Sequence, residues 1–299
     1  MRVSERQRYD TVSNRVERAK DQNRSMLEQI SSQKRLNRIS DDPVGMTQAI
    51  RTRDRIGTVE QFQKNTDFAK GFLEKSETVI SQIHDSLIRA KELAVSMASD
   101  TYNAPAREAT AREIKELMNS VIQLGNSTFG NRYVFGGFRT QTPPLSIDGQ
   151  FLGDDGKIFL QTSRDGFQQI NAAARDLFEA NPEDRERGHF NMMDSLEMLY
   201  NGLNDNNKDS IRSALSELEY QMDKASSFQA TLGGMWNAVG MASERLEKEE
   251  ETARGALSEI EDVDVYKATS DFKRTETILQ STLLASTKLL QPSLLNFLK

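Results

Sequence analysis

The sequence lacks cysteine altogether and contains few residues of several other types. Its 299 residues include no cysteine, one tryptophan, two histidines and six prolines. Without cysteine there are no disulfides, thiolate metal sites or cysteine nucleophiles. The scarcity of proline leaves long stretches in which nothing interrupts a helix. The remaining composition, with 28% charged and 36% hydrophobic residues, is typical of a soluble protein rich in exposed helix.

The motifs of common enzyme and metal sites are missing as well. The two histidines, His84 and His189, have no third partner at metal-ligand or triad spacing. The acidic runs 154–156 and 262–264 do not continue into a calcium loop of alternating oxygen ligands. Glycine motifs for phosphate binding or a nucleophile elbow do not occur. We therefore predict that the protein is not an enzyme and has no catalytic, cofactor-binding or metal-binding residues.

Membrane and nucleic-acid partners are not predicted either. No run approaches the roughly 20 apolar residues that a spanning helix needs, and residues 1–6 lack the apolar core of a secretory signal peptide. Residues 1–40 carry a net charge of +5 and residues 241–299 a net charge of −3. The positive residues are spread singly among acids, so they do not indicate a nucleic-acid arm. The opposite charges of the two ends favour their pairing.

Hydrophobic spacing predicts two long helices with coiled-coil-like seams. Between residues 59 and 97, positions alternate in steps of three and four, and ten of these twelve positions are apolar. A second seam runs from residue 211 to residue 260, with twelve apolar positions among fifteen, one of which is Trp236. Heptad patterns of this length favour long packed helices. A shorter third helix is predicted around residues 114–124, after a turn at 103–105.

Both ends of the chain carry weaker apolar stripes with the same rhythm. A terminal amphipathic helix without a partner frays, because such helices are stabilised mainly by packing. The stripes therefore predict an assembly interface. Its residues are Tyr9, Val12, Val16, Ala19, Met26 and Ile30 at the front, and Phe272, Leu279, Leu283, Leu290, Leu294, Leu295, Phe297 and Leu298 at the back.

The middle of the chain has a different residue pattern, with many turn residues and no helical period. From residue 135 to about residue 182 the helical period fails, and turn pairs such as Asp148-Gly149 and Asp165-Gly166 separate short apolar runs, which is typical of hairpins. We predict a mainly α fold of long antiparallel helical rods formed by the N- and C-terminal regions, with a small β-rich inserted domain. The predicted domains are a terminal helical assembly domain (1–40 and 255–299), a helical rod domain (41–138 and 191–254) and a β-rich outer insert (139–190).

A local motif at residues 34–43 predicts a break between two helices. Pro43 restricts Asp42 to an extended conformation and is itself suited to the first position of a helix. The side chain of Asp42 or of Asp41 can then cap the free amides of that helix. On physical grounds alone, this segment is a helix stop followed by a capped restart.

Together, these segments resemble the bacterial flagellin superfamily. Residues 31–43 are similar to the family's hinge between its outermost terminal helix and the next domain, and residues 65–101 to the long helix that follows. Residues 260–264 and the leucine-rich end resemble the closing helix. Within the superfamily, residues 131–144 and 293–298 resemble the proteins of the hook–filament junction more than they resemble flagellins.

The resemblance implies a hinge motif made up of Arg35, Asn37, Ser40, Asp41, Asp42 and Pro43. Two nearby positions depart from the family pattern. Gln33 stands where the family usually has glycine, and Ile39 where junction proteins often have proline. Gln33 therefore predicts that the first helix continues without an early glycine break.

The function implied by the resemblance is that of a structural subunit of the bacterial flagellum, which joins the hook to the filament and provides the platform for flagellin polymerisation. Such a subunit is exported without a cleaved signal peptide, works outside the cell and forms a helical ring with its own copies. Its other implied partners are the first hook-associated protein, flagellin, the flagellar export apparatus and a cytoplasmic export chaperone. Two alternatives remain, namely a flagellin and an unrelated cytoplasmic coiled-coil adaptor.

Overall fold

The computed structural model describes residues 2–99 and 102–290, and this part of the chain is mainly helical with four short strands. The helices are α1 (Arg2–Ser32), α2 (Pro43–Met97), α3 (Ala104–Gly125), α4 (Arg175–Phe178), α5 (Pro182–Glu186), α6 (Met192–Asn204), α7 (Lys208–Glu261) and α8 (Val265–Leu290). The strands are β1 (Thr128–Phe129), β2 (Arg132–Tyr133), β3 (Phe159–Gln161) and β4 (Phe167–Gln169). The predicted fold class, long helices with a small β-rich region, is confirmed.

The chain divides into two compact units. Unit 1 comprises Met1–Thr58 and Glu249–Lys299, and unit 2 comprises Val59–Lys248. Both terminal helices, α1 and α8, belong to unit 1. The three domain ranges expected from the sequence stay a prediction.

In unit 1, α1 and α8 lie antiparallel along each other. The Asn23 side-chain amide donates to the Thr275 hydroxyl at 3.4 Å. Lys34, just beyond α1, forms an isolated antiparallel backbone β-bridge with Asp262, just before α8. Buried and half-buried positions recur in steps of three and four on both helices, which defines a coiled-coil-like seam. These seam positions are Val12, Val16, Ala19, Asn23, Met26 and Ile30 on α1, and Ala268, Phe272, Thr275, Leu279, Thr282 and Ser286 on α8.

The long helices α2 and α7 confirm the two predicted rods. Every position of the first predicted seam is buried except Phe62, which is half-buried. Within unit 2, the Lys70 ammonium donates to the Ser243 hydroxyl at 2.8 Å, and Lys91 pairs with Glu219 at 2.9 Å. These parts of the two helices therefore run antiparallel.

The second predicted seam is wrong at Trp236, whose surface is 40% exposed. Positions 211, 218, 225, 232, 239 and 246 of α7 are all buried at a strict seven-residue spacing, as predicted. The second row of the packed face lies one residue before the predicted row. It contains the buried Phe228 and the half-buried Met235, where the sequence predicted Gln229 and Trp236.

The shorter helices were only partly predicted. The third helix is confirmed as α3, which starts after the predicted turn, with the Asn103 side chain accepting a hydrogen bond from the Ala106 amide at 3.1 Å. The sequence did not distinguish α6 from the rod that follows it. With four and five residues, α4 and α5 are too short to show any helical period.

The insert contains the predicted hairpins. β3 and β4 pair antiparallel, with Leu160 opposite Gln168, around the predicted turn at Asp165-Gly166. An isolated bridge between Leu145 and Phe151 encloses the other predicted turn, at Asp148-Gly149. The Asn65 side-chain amide on α2 donates a hydrogen bond to the Gln161 carbonyl at 2.8 Å. This bond attaches the β3–β4 hairpin to the rod of unit 2.

A tight loop at the base of the insert is organised around one carboxylate. Asp154 Oδ1 accepts hydrogen bonds from the Phe138 amide at 2.7 Å and the Gly156 amide at 2.8 Å. The Phe138 amide is the main cause that holds the pKa of Asp154 below its ordinary value. Gly137, with φ at 65°, lies so close that an added Cβ would collide with the Asp154 backbone carbonyl. The loop therefore requires glycine at this position.

The end of the insert contacts α7 through a cluster of side chains that includes His189. The imidazole Nδ1 lies 3.1 Å from Glu217 Oε1, and the ring stacks on Tyr220 with centroids 3.8 Å apart. Burial and a neighbouring carboxylate raise the pKa of Tyr220 to about 12. Lys224 Nζ donates to the Glu179 carbonyl at 2.7 Å. These α7 side chains attach the returning segment to the rod.

Candidate functional site: the paired terminal helices and their links

Two short links connect the terminal helices to the long ones in unit 1, and the links bond to each other. The first link is residues 33–42 and the second is residues 262–264. The Arg35 amide donates to the Glu261 carbonyl at 2.7 Å, and the Val263 amide donates to the Gln33 carbonyl at 3.1 Å. These bonds tie the entry and exit of the terminal helix pair together.

Aspartates cap both helices that restart after the links. Asp42 Oδ1 accepts from the Gly45 amide at 2.9 Å and from the Val44 amide at 3.2 Å, at the start of α2. Asp264 Oδ1 accepts from the amides of Tyr266 and Lys267 at 3.0 and 3.1 Å, at the start of α8. Each cap satisfies amides that have no partner within their own helix.

The six residues of the predicted hinge motif lie together in the first link and at the first position of α2. Asp41 Oδ2 accepts from the Arg38 amide at 2.8 Å and from the Asn37 amide at 3.1 Å, so Asp41 shapes the link while Asp42 caps the helix. Arg35 Nη2 donates to the Ile260 carbonyl at 2.6 Å. Ser40 is exposed in the same turn, and Pro43 begins α2. A hinge motion at these residues stays a prediction.

Glu261 is a buried charge that the sequence did not single out. Its side chain is 3% exposed, and its Oε1 pairs with Lys34 Nζ in the first link and with Arg53 Nη2 on α2, the latter at 2.5 Å. Burial acts to raise the pKa of Glu261, but hydrogen bonds from Arg53 and Lys34 outweigh it and lower the pKa overall. A single carboxylate at the end of α7 therefore bonds to the first link and to α2.

We expect Glu261→Gln to destabilise the links. The variant keeps the shape but loses the charge, and the half-exposed cations moderate the loss to about 1–2 kcal/mol. Because the folded pKa is lowered, the carboxylate stabilises the fold above its unfolded pKa and less as pH falls through the folded value. The difference from wild type should be seen at neutral pH, as faster hydrogen exchange of the Arg35 amide, and should shrink in acid.

The matched control for that variant is Glu259→Gln, at an exposed position one half-turn earlier on α7. It removes the same charge without touching Lys34 or Arg53. Equal exchange at the Arg35 amide in the two variants would show that Glu261 does not hold the links.

The prediction that the first helix runs on past Gln33 is wrong. α1 ends at Ser32, and Gln33 adopts a left-handed conformation with φ at 57°. A residue with a Cβ pays about 1–2 kcal/mol there, whereas glycine does not. The bonds made by the Gln33 carbonyl and by Lys34 and Arg35 with the second link outweigh this strain. The break thus occurs where the family has glycine, without the glycine.

We therefore expect Gln33→Gly to stabilise unit 1 by about 1 kcal/mol, by relieving this strain. The control is Ser31→Gly, two residues earlier inside α1, where glycine should destabilise by about 0.5 kcal/mol. Urea unfolding of both variants tests the opposite signs. A loss of stability in Gln33→Gly would mean that the side chain contributes more than the strain.

The terminal helices place the predicted assembly residues in two environments. On the seam between α1 and α8, Ala19 is buried. Six other predicted residues are half-buried, namely Val12, Val16, Met26, Ile30, Phe272 and Leu279. Tyr9 and Leu283 are exposed. The side chain of Leu290 and the residues Leu294, Leu295, Phe297 and Leu298 lie outside the described residues. Contacts between copies at these positions stay a prediction.

Other large apolar residues on the terminal helices were missed from the sequence. Leu27 is 52% exposed on α1, and Ile278 and Leu284 are 44% and 66% exposed on α8. They lie off the single stripe that the periodicity analysis followed. The signal that could have found them is the presence of leucine and isoleucine at α8 positions outside its seam.

Metal clusters and membrane-spanning helices were not found in the described part of the chain. Within residues 2–99 and 102–290, no cluster of three or more histidine or acidic side chains is arranged to hold a metal ion. None of the helices in the same residues is long and apolar enough to span a membrane.

The fold and the site define a class of helical structural subunit whose two chain ends pair with each other. The family model of the bacterial flagellin N-terminal helical region matches residues 3–140, and that of the bacterial flagellin C-terminal helical region matches residues 215–298. The matches lie in the same order on either side of the insert. The chain belongs to the bacterial flagellin superfamily, a family of structural proteins of the flagellum.

Among curated proteins, the flagellar hook-associated protein 3 of Escherichia coli K12 is 29% identical over 155 residues, which cover 51% of this chain and 49% of that protein. The chain thus aligns with about half the length of this relative. A flagellin of Halalkalibacterium halodurans is 23% identical over 261 residues, which cover 87% of this chain and 85% of the flagellin.

Among solved structures, the flagellar junction protein FlgL of Legionella pneumophila matches with a TM-score of 0.58 and 15% sequence identity. The match covers 72% of this chain and 99% of that one. At this level of identity the similarity shows a shared fold.

Proposed function

We propose that this chain is a structural subunit that joins the flagellar hook to the filament and serves as the platform on which flagellin polymerises. The observation that carries the proposal is the terminal helix pair, which leaves Leu27, Ile278 and Leu284 exposed in unit 1. Amphipathic terminal helices are stabilised mainly by packing, so the apolar side chains that stay exposed on this pair are available to other chains. The similarity to hook-associated protein 3 supports the position at the junction.

The work of such a subunit is binding. It contacts its own copies in a helical ring, the first hook-associated protein on the hook side and flagellin on the filament side. It reaches this place outside the cell through the flagellar export apparatus, without a cleaved signal peptide and with the help of an export chaperone. The bonded links in unit 1 support this role, because they hold both terminal helices ready to enter an assembly as a pair.

A flagellin is the second candidate function. The observation in its favour is the match to the Halalkalibacterium flagellin, which extends over 87% of the chain and so includes the insert region. The similarity of residues 131–144 and 293–298 to junction proteins favours the first candidate. Membership of the flagellin superfamily removes the support for an unrelated cytoplasmic adaptor.

The two candidates differ in what a deletion strain secretes. Without a junction subunit, cells should carry hooks without filaments and release flagellin into the medium, because flagellin has no platform on which to polymerise. Without a flagellin, the filament protein itself should be missing from the medium. Restoring the gene on a plasmid is the control. Filaments of normal length in the deletion strain would contradict both functions.

A further inference from the structure

A cleft of about 590 Å³ lies between the end of the insert and α7. Its insert wall includes Lys157, Asp176 and Asp184, and its α7 wall includes Tyr220 and Lys224. All of the lining residues belong to unit 2, so the cleft is not part of the links or of the terminal helix pair. Sites that bind small molecules have volumes of about 300–1,000 Å³, and this cleft falls within that range.

The α7 wall of the cleft combines a fixed aromatic ring with apolar side chains. Tyr220 stacks on His189 with ring centroids 3.8 Å apart, and its hydroxyl donates to the Asp184 carboxylate. The buried Phe228 and the half-buried Met235 lie further along the same wall. A ligand with an apolar face can pack on this wall at little cost in ordering, because the ring is already held in place.

Lys224 adds a partly desolvated cation to the same wall. Its Nζ donates to the Glu179 carbonyl at 2.7 Å, which uses one of the three N–H donors of an ammonium group. Burial is the main cause that lowers the pKa of Lys224. Since water reaches this group poorly, its remaining donors favour an acceptor supplied by a ligand.

The charges around the cleft balance each other. Lys157 and Lys224 supply two positive groups, and Asp176 and Asp184 supply two negative ones. An anionic ligand would therefore meet two carboxylates, and a cationic ligand would meet two ammonium groups. A hydroxyl group both donates and accepts hydrogen bonds, so it can bond to either kind of side chain. This balance favours an uncharged ligand with many hydroxyl groups.

We propose that this cleft binds a neutral oligosaccharide. The hydroxyl groups of a sugar ring would bond to Lys157, Lys224 and Asp176. The carbon–hydrogen face of the ring would pack on Tyr220 and Phe228. A free amino acid also pairs with both kinds of charge, but it would leave much of the 590 Å³ unfilled.

This binding activity goes beyond the proposed function and does not depend on where the chain lies in the flagellum. It is measured on the purified full-length chain in two ways. A microarray of neutral and charged glycans tests oligosaccharides attached to a surface. Titration calorimetry with maltotriose, tri-N-acetylchitotriose and any glycan that binds on the array tests free oligosaccharides. Binding in both experiments supports a surface-borne ligand, and binding in solution alone supports a free one.

Two variants alter the cleft at exposed positions, where the fold should tolerate them. Lys157→Ala removes a hydrogen-bond donor, and Thr231→Trp fills part of the cleft. Each should raise the Kd for the oligosaccharide at least about tenfold, because a hydrogen bond to a charged group is lost or the ligand is excluded. The matched control is Ser216→Trp, at an exposed α7 position outside the lining, which should bind like the wild type. Thermal unfolding of all three variants should match that of the wild type.

Three results would overturn the inference. One is a lack of binding on the array and in solution. Another is an unchanged Kd in either cleft variant, which would place the oligosaccharide elsewhere on the chain. The third is binding of sulfated or sialylated glycans alone, which would contradict the argument from balanced charges. The junction role would stand after any of these results, because the deletion strain tests it separately.

Discussion

Replacing Leu284 with aspartate should leave the chain folded and exported but keep it out of the flagellum. In a single copy this side chain is 66% exposed, so a carboxylate there remains hydrated and the helix is not disturbed. In a contact with another copy, the same carboxylate would be buried against an apolar surface. An unpaired charge in such a place costs about 3 kcal/mol or more per contact, which lowers the affinity by at least about a hundredfold.

The comparison is best made with Ser270→Asp, which introduces the same charge at an exposed α8 position about 21 Å along the helix from Leu284. Both variants should show the thermal unfolding of the wild type. Immunoblots of isolated flagella should then contain Ser270→Asp at the wild-type level and little or no Leu284→Asp. Equal incorporation of the two would show that Leu284 does not lie in a contact between copies.

The second large effect is expected at Gly137, where alanine should lower the free energy of unfolding of unit 2 by about 3 kcal/mol or more. Two causes add at this position. The φ of 65° disfavours any residue with a Cβ, and the new methyl would collide with the Asp154 backbone. Relieving the collision would move Asp154 away from the Phe138 and Gly156 amides and leave those donors without a partner.

Gly130→Ala separates the two causes. Gly130 has a similar φ of 59°, but an added Cβ would meet nothing within 4 Å. Gly130→Ala should therefore lower the free energy of unfolding by backbone strain alone, about 1 kcal/mol. Urea unfolding followed by circular dichroism measures both variants. Equal losses in the free energy of unfolding would show that the loop around Asp154 rearranges and that the collision costs nothing.

The parts of the fold that follow from periodic patterns could be predicted from the sequence. The seam of α2 is correct at nearly every position because each residue repeats the same choice between core and solvent over many turns. The turn before α3 and the Asp42 cap are also local, since the relevant donors and acceptors lie within three residues of each other. Such features need no knowledge of distant segments.

The features that were missed depend on contacts between distant segments. The left-handed Gln33 is stabilised by the second link, more than 200 residues later, and the buried Glu261 by Lys34 and Arg53 from the front of the chain. Neither pairing leaves a local pattern. The exposed Leu284 was overlooked for another reason. A search for one stripe on a helix discards the residues on its other sides.

The predicted assembly residues illustrate both limits. Val16 and Leu279 were correctly grouped by period, but a period does not tell whether a stripe packs within one chain or between two. The structure places them on the seam within one copy. Leu27, Ile278 and Leu284 remain exposed outside that seam, which only the three-dimensional arrangement of α1 and α8 reveals.

Immunogold electron microscopy of whole cells, with an antibody raised to residues 139–190, decides where this subunit acts. We expect gold in a narrow band at the point where the filament meets the hook. Gold along the whole filament would contradict the junction role and identify the chain as a filament subunit, and gold confined to the cell interior would contradict any role in the external flagellum.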